Sequence, residues 1–597
     1  MLKMKMKLKR ITSAILVLAM MLSVFSVAAF ADTPEASSGH IADFDRETPV
    51  FLVHGMSQND TYMLDENGNR IPDDNGYVTG WPLEIDVMAL VKEALPELLM
   101  SIITRKDSGL TDAMRTGAYN ALYVLHKDNE GKYLTDVEVP CYECPMSELD
   151  PAVKEAYYGF LPVQELGEII GEDNLYYFGY DSFGDVIYET DKLHNYIHNV
   201  VLPQTGAEKV KICYISLGGT IAVHHFDAYP EDLDIIDKVV FIAPAIDGSN
   251  IIGDLLTNNL SVFYDDNVLY EELLVSLLGD TPLTYLLNMV LRILPDDVLK
   301  SALGGLAEGV ADVGVRRTTI MWALCPTSYY QEARAKWLTD PEFSVILEKV
   351  DRFMESRSDF ETNLRALQSK GCEVMNVCCY DYPLVALCKD YKTTNADKII
   401  HASSPAMGAT FANLGETLGA NYKAAGTYCS NPDHNHLSPD GVVDATTSLL
   451  PCTTWFFKGQ AHEQLPNNDV VLKLAIRAMT DNNMHDVYSN PVEYPQFNEH
   501  RLINTAKLYI KTWEEADKSK VSADEKAAVE AAIAEINAQL DETIISTEKW
   551  LAAENALKVA LINAGILEDD SPSKVESIIT IILKTMNQGV NRVFEII

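Results

Sequence analysis

The sequence predicts an α/β fold with a mostly parallel sheet, and three observations lead there. Short β-rich runs recur along the chain with helical patterns mostly between them, the runs are too apolar to face water on either side, and one of them turns sharply into a glycine-rich helix start. Thr48–Gly55 (TPVFLVHG) is the first run, and Asn174–Phe183 (NLYYFGYDSF) is the second, followed by the helical DKLHNYIHNVV. Lys209–Phe226 reads as strand, tight turn and helix. Ile236–Ala245, Cys372–Tyr382 and Cys452–Gly459 complete the set.

A chain of 597 residues with 47% hydrophobic and 22% charged residues has ordinary globular composition and can bury a large core. Its net charge of -40 repels phosphate backbones and anionic membrane surfaces, which argues against nucleic acid as a partner. The start is of another kind. MLKMKMKLKR carries five positive charges, the apolar run Ile11–Phe30 follows, and Ala29-Phe30-Ala31 fits a signal-peptidase site, so residues 1–31 read as a secretory signal peptide and the remainder as exported.

Two long insertions interrupt the strand–helix alternation. Residues 57–165 mix turn-rich pieces with the helical EIDVMALVKEALPELLMSII, and residues 250–370 are helical and unusually apolar, lying between two strands, where a cap over a site would be inserted. This divides the chain into a first core part (32–249, with its insertion), a helical cap (250–370), a second core part (371–500) and a C-terminal all-α module (501–597). In the last helix Val575, Ile578, Ile579, Ile582, Met586, Val590, Val593 and Ile597 fall mainly on one face, which docks on the rest of the tail or serves a surface or protein partner.

The ten cysteines are too sparse for a disulfide framework. Cys141 and Cys144 form a C-x-x-C pair with no second pair at metal-finger spacing, so no metal site and no cofactor is expected, while Cys429 and Cys452 could bridge across a loop.

Ser216 sits where the third run turns into a helix, followed by Leu217, Gly218 and Gly219, an arrangement that lifts a hydroxyl clear of a sheet for attack on a carbonyl. Glycine is usual two positions before such a serine; Tyr214 stands there and should crowd the turn. A serine nucleophile needs a base oriented by an acid. His462, just beyond the last strand, is the best-placed histidine; His224 and His225 are too close to Ser216 in sequence, and His401, His434, His436 and His485 have no strand before them. For the acid, Asp440 opens DGVVD 22 residues before His462 and is preferred over Asp381, which ends the preceding strand.

With FLVHGM, YFGYDSFGD, TGAEKVKICYISLGG, FIAPAIDGS and PDGVV in this order, the chain resembles secreted lipases and esterases of the α/β-hydrolase superfamily, including bacterial triacylglycerol lipases and the lecithin:cholesterol acyltransferase-like branch. The resemblance covers roughly residues 45–465 in patches. It implies Ser216 as nucleophile, Asp440 as acid, His462 as base and the backbone N–H groups of Met56 and Leu217 as oxyanion donors. Two departures accompany it: Ile246 replaces a histidine common in the APxHxGS stretch, and Gln464 replaces an aspartate that binds calcium in some lipases. The implied function is a secreted serine hydrolase of carboxylic esters, with a substrate that carries a hydrophobic acyl chain. An amidase, peptidase or acyltransferase on the same triad, or an inactive hydrolase-fold protein acting through its helical tail, are the competing readings.

Overall fold

The computed structural model describes residues 40–567, apart from 74–75, 84–86, 266, 280, 427, 499–500, 517 and 541–546. The expected signal peptide (1–31) and the apolar face from Val575 to Ile597 lie outside the described residues. Seven strands form one sheet: β1 (Val50–Val53), β2 (Leu175–Phe178), β3 (Val210–Ile215), β4 (Ile236–Ile242), β5 (Glu373–Tyr380), β6 (Thr454–Lys458) and β7 (Phe497–Asn498). Their order across the sheet is β7-β6-β5-β4-β3-β1-β2, and every neighbouring pair is parallel.

Why the strands are apolar throughout follows from the pleat, which sends alternate side chains to opposite faces. Phe51, Val53, Ile212, Tyr214 and Phe241 enter one core, and Val50, Leu52, Cys213, Ile215 and Ile242 enter another. Helices cover both faces, among them Gly218–Ala228 on the first and Asp469–Thr480 on the second.

The strand order also locates a crevice. From β1 the chain steps outward to β2, returns to the other side of β1 with β3, and then proceeds through β4, β5, β6 and β7. Loops after β1 and β3 therefore leave the same sheet edge side by side, at the reversal point where α/β folds open for ligands. Gly55–Met56 and Ser216–Leu217 are in those loops.

The two insertions pack on each other. Helix Leu110–Ala121 of the first lies against Asp296–Val310 of the second, so close that a Cβ on Gly305 would sit 2.4 Å from the Thr111 carbonyl oxygen. Together they enclose an apolar cavity of about 190 Å³ lined by Leu98, Met114, Leu287, Leu291 and Leu306 among others. Later helices of the second insertion, Ser344–Ser358 and Phe360–Ser369, instead pack on Gly218–Ala228 as part of the layer covering the sheet. At the other end of the chain, helices Arg501–Glu515, Ala523–Leu540 and Thr547–Asn563 gather around their own cluster of Trp513, Val529, Ile536, Trp550 and Leu557. No helix of the described residues is long and apolar enough to cross a membrane.

Candidate active site

Ser216 occupies the turn between β3 and helix Gly218–Ala228 with φ 51°, a left-handed conformation that a serine adopts only when its surroundings impose it. The surroundings are three backbone hydrogen bonds: the Ser216 N–H donates to the Ile242 carbonyl and its own carbonyl accepts from the Gly219 and Ala245 N–H groups, each at 2.9 Å. Both following glycines are needed for space. A Cβ on Gly218 would stand 2.7 Å from the Val53 carbonyl oxygen, and one on Gly219 would meet Pro244 Cβ at the same distance. The helix can thus start directly against β1 and the turn after β4.

Tyr214 does not crowd this turn. Its ring is buried between Phe226 and Phe241, and its hydroxyl lies 2.8 Å from His225 Nδ1. His225 Nε2 is in turn 2.8 Å from Asp232, which also takes His194 and His198. Burial alone would raise the Asp232 carboxyl, but the hydrogen bonds from these imidazoles hold it well below the usual carboxylate range.

From Ser216 a row of hydrogen bonds runs through His462 to an aspartate. His462 Nε2 is 2.8 Å from Ser216 Oγ, and Nδ1 is 2.7 Å from Asp397 Oδ2. The other Asp397 oxygen accepts the N–H groups of Ile399 and Ile400 at 3.0 and 2.7 Å, so the carboxylate cannot rotate away from the imidazole. Burial opposes a charge on His462, yet the adjacent Asp397 carboxylate outweighs it and raises the imidazole pKa above its ordinary 6.5.

The acid expected at position 440 is not on this histidine. Asp440 Oδ2 lies 2.8 Å from Lys458 Nζ and 3.1 Å from the Tyr380 hydroxyl, and its other oxygen accepts from Ser438. Asp381 is 3.8 Å from the same lysine. Lys458, the last residue of β6, thus collects both carboxylates that the sequence offered for the role. Asp397 comes from the loop beyond β5, after a two-residue strand at Asn395–Ala396. Its signal was faint: an aspartate flanked by Ala396 and by Ile399–Ile400, downstream of the very strand whose end had suggested Asp381.

Met56 and Leu217 both line the cavity onto which Ser216 and His462 open. The turn carrying Met56 is held by two side chains. Gln58 Oε1 accepts the Gly55 N–H at 2.6 Å, and His54 bonds the Gly55 carbonyl through Nδ1 at 2.6 Å while its Nε2 accepts the Tyr180 N–H at 3.2 Å. Burial lowers the His54 pKa to about 4, so it stays neutral there. The cavity measures about 410 Å³, and Phe160, Leu161, Ile251, Ile252, Leu324 and Leu465 make its walls mostly apolar. Both insertions contribute, Phe160 and Leu161 from the first and Ile251, Ile252 and Leu324 from the second. Met56, Ser216, Leu217 and His462 are brought together; Asp440 is not.

Cys429 and Cys452, which the sequence left open as a bridge, are free thiols with their sulfurs 3.5 Å apart. In comparisons with known proteins, no family model and no curated sequence matches the chain. Among solved structures, it is similar to a chain from the crystal structure of the Tle4–Tli4 complex at 13% identity and a TM-score of 0.28, over 72% of this chain and 97% of that one.

Proposed function

We propose that this chain is a serine hydrolase of α/β-hydrolase fold, exported by its N-terminal signal, which cleaves carboxylic esters carrying an apolar acyl group. The observation that supports this most is the Ser216–His462–Asp397 row opening on an apolar cavity of about 410 Å³. Substrate would lie with its acyl chain along Phe160, Ile251 and Leu324 and its carbonyl carbon over Ser216 Oγ.

In the first half-reaction Ser216 Oγ attacks that carbon while His462 Nε2 takes the hydroxyl proton. Asp397 keeps Nδ1 protonated, so Nε2 is the free base, and it stabilises the imidazolium that forms. The carbonyl oxygen becomes an oxyanion between the N–H groups of Met56 and Leu217. Leu217 precedes the helix that begins at Gly218, whose positive end favours an anion. A donor of this kind contributes about 3 to 4 kcal/mol to the transition state. Collapse of the intermediate expels the alcohol, protonated by His462, and leaves an acyl-Ser216 ester. Water then attacks the acyl carbon as His462 takes its proton, and His462 returns that proton to Ser216 Oγ as the carboxylic acid leaves.

The test is labelling with a fluorophosphonate probe together with hydrolysis of p-nitrophenyl esters. Wild-type chain should be labelled at Ser216 and hydrolyse the ester, and Ser216→Ala should lose both while keeping its melting curve. Hydrolysis surviving in that variant would sink the assignment.

A further inference from the structure

At the opposite end of β6 from His462, four side chains with metal-binding atoms converge. Cys452 lies two residues before the strand, and Cys429, His434 and His436 come from the loop before it. Cys429 Sγ is 3.5 Å from Cys452 Sγ and 3.5 Å from His434 Nδ1, while Cys452 Sγ is 3.9 Å from His434 Nδ1 and 3.6 Å from His436 Nε2. All four donor atoms lie within 4.8 Å of one another. A tetrahedral Zn²⁺ with bonds of about 2.3 Å to sulfur and about 2.05 Å to nitrogen would set its donors about 3.3 to 3.8 Å apart. These four separations fall on or close to that range, whereas a disulfide would bring the sulfurs to about 2.05 Å and would leave two imidazoles converging on it without a purpose.

The surroundings of His436 agree with a ligand. The Gln496 amide donates through Nε2 to the carbonyls of Pro451 and Thr454 at 2.7 and 3.1 Å, which fixes its oxygen toward His436 Nδ1 at 2.8 Å. Nδ1 must therefore carry the proton, and the lone pair of Nε2 is directed at the sulfurs. That is how an outer partner orients a metal-bound histidine. His434 is held by its ring against Tyr488, with centroids 4.1 Å apart.

We infer that Cys429, His434, His436 and Cys452 form a structural site for a thiophilic divalent cation, Zn²⁺ in the first place. It has four protein ligands and no open position, so it takes no part in chemistry. Binding releases the thiol protons, leaving both sulfurs as thiolates, and pins the 429–436 loop to the start of β6. The inference is independent of the reaction proposed for Ser216.

Elemental analysis of the full chain after equilibration with Zn²⁺ should find about one zinc per chain. Reconstitution with Co²⁺ should give the visible bands of a tetrahedral thiolate-bound ion. Cys429→Ser and His434→Ala should each lose both signals, and because these two residues lie in a partly exposed loop the variants should still fold. Gln496→Leu should bind Zn²⁺ about 10- to 100-fold more weakly. An unreduced chain two hydrogens lighter, with a Cys429–Cys452 bond found by peptide mapping, would overturn the proposal. So would zinc content unaltered in the Cys429→Ser/His434→Ala double variant, or no zinc bound by the reduced wild-type chain.

Discussion

Asp397 and His462 are joined twice. The Asp397 carboxylate meets His462 Nδ1 at 2.7 Å, and the Asp397 backbone carbonyl accepts the His462 backbone N–H at 2.8 Å. The second bond ties the two loops together whatever the side chains do, so a substitution of the carboxylate should leave the imidazole near Ser216 and expose the electrostatic role alone.

Asp397→Asn is therefore expected to lower kcat on an activated ester by about 10⁴, the loss seen when a triad acid is turned into an amide, with little change in melting temperature. Asp440→Asn should cost less than tenfold. Steady-state kinetics of the two variants side by side decide between them, and the reverse ranking would return the acid to position 440.

The pH profile carries a second expectation. His462 acts as a neutral base, and its pKa is raised above 6.5 because Asp397 outweighs burial. Activity should fall as the pH drops through a midpoint above that value. In Asp397→Asn the raising influence is gone and burial remains, so the midpoint should move to lower pH. Measurement of kcat/KM on a neutral ester from mildly acidic to mildly alkaline pH tests this; a midpoint that stays put in the variant would assign it to another group.

Asp440 should matter for stability. Burial alone would raise its carboxyl, but Lys458 and the Ser438 hydroxyl hold it below the usual carboxylate value. Asp440→Ala leaves a mostly buried lysine without its nearest partner and should cost ~3 kcal/mol near neutral pH. A carboxyl with a depressed pKa contributes stability above its unfolded value and loses it as the pH falls through the folded one. The gap between wild type and variant should then narrow in acid, as denaturant melts at two pH values would record.

Chain-length preference should follow the cavity at Ser216 and ignore the one between the insertions. Phe160→Ala or Leu324→Ala enlarges the former and is expected to shift the kcat/KM ratio of long over short acyl esters by about tenfold to a hundredfold. Leu291→Ala enlarges the latter, which Ser216 does not line, and should lower stability with the ratio unchanged. A panel of esters from acetate to palmitate separates the two.

Six of the seven strands were legible because they are buried on both faces and therefore read as uniform apolar runs, from TPVFLVHG to CTTWFFKG, whereas β7 is two half-buried residues with no such run. Ser216 and His462 were legible for a local reason: Ser216 directly follows β3 and His462 comes four residues after β6, so the sheet edge delivers both. Asp397 has no such tether. It reaches His462 through an excursion beyond β5 that only tertiary contacts define, and DGVVD, with its regular turn, is the more conspicuous segment. The Cys429–His436 loop was hidden similarly, because C-x4-H-x-H with a distant cysteine matches no regular ligand spacing and only β6 closes it.

Tyr214 and His225 make two distant positions of this turn depend on each other. The residue two before the nucleophile and the residue nine after it share one buried hydrogen bond, continued to Asp232. Glycine at position 214 would remove the hydroxyl from His225 and leave a void beside Phe226 and Phe241, so the cost of that replacement depends on what stands at position 225. The two sites are expected to be epistatic.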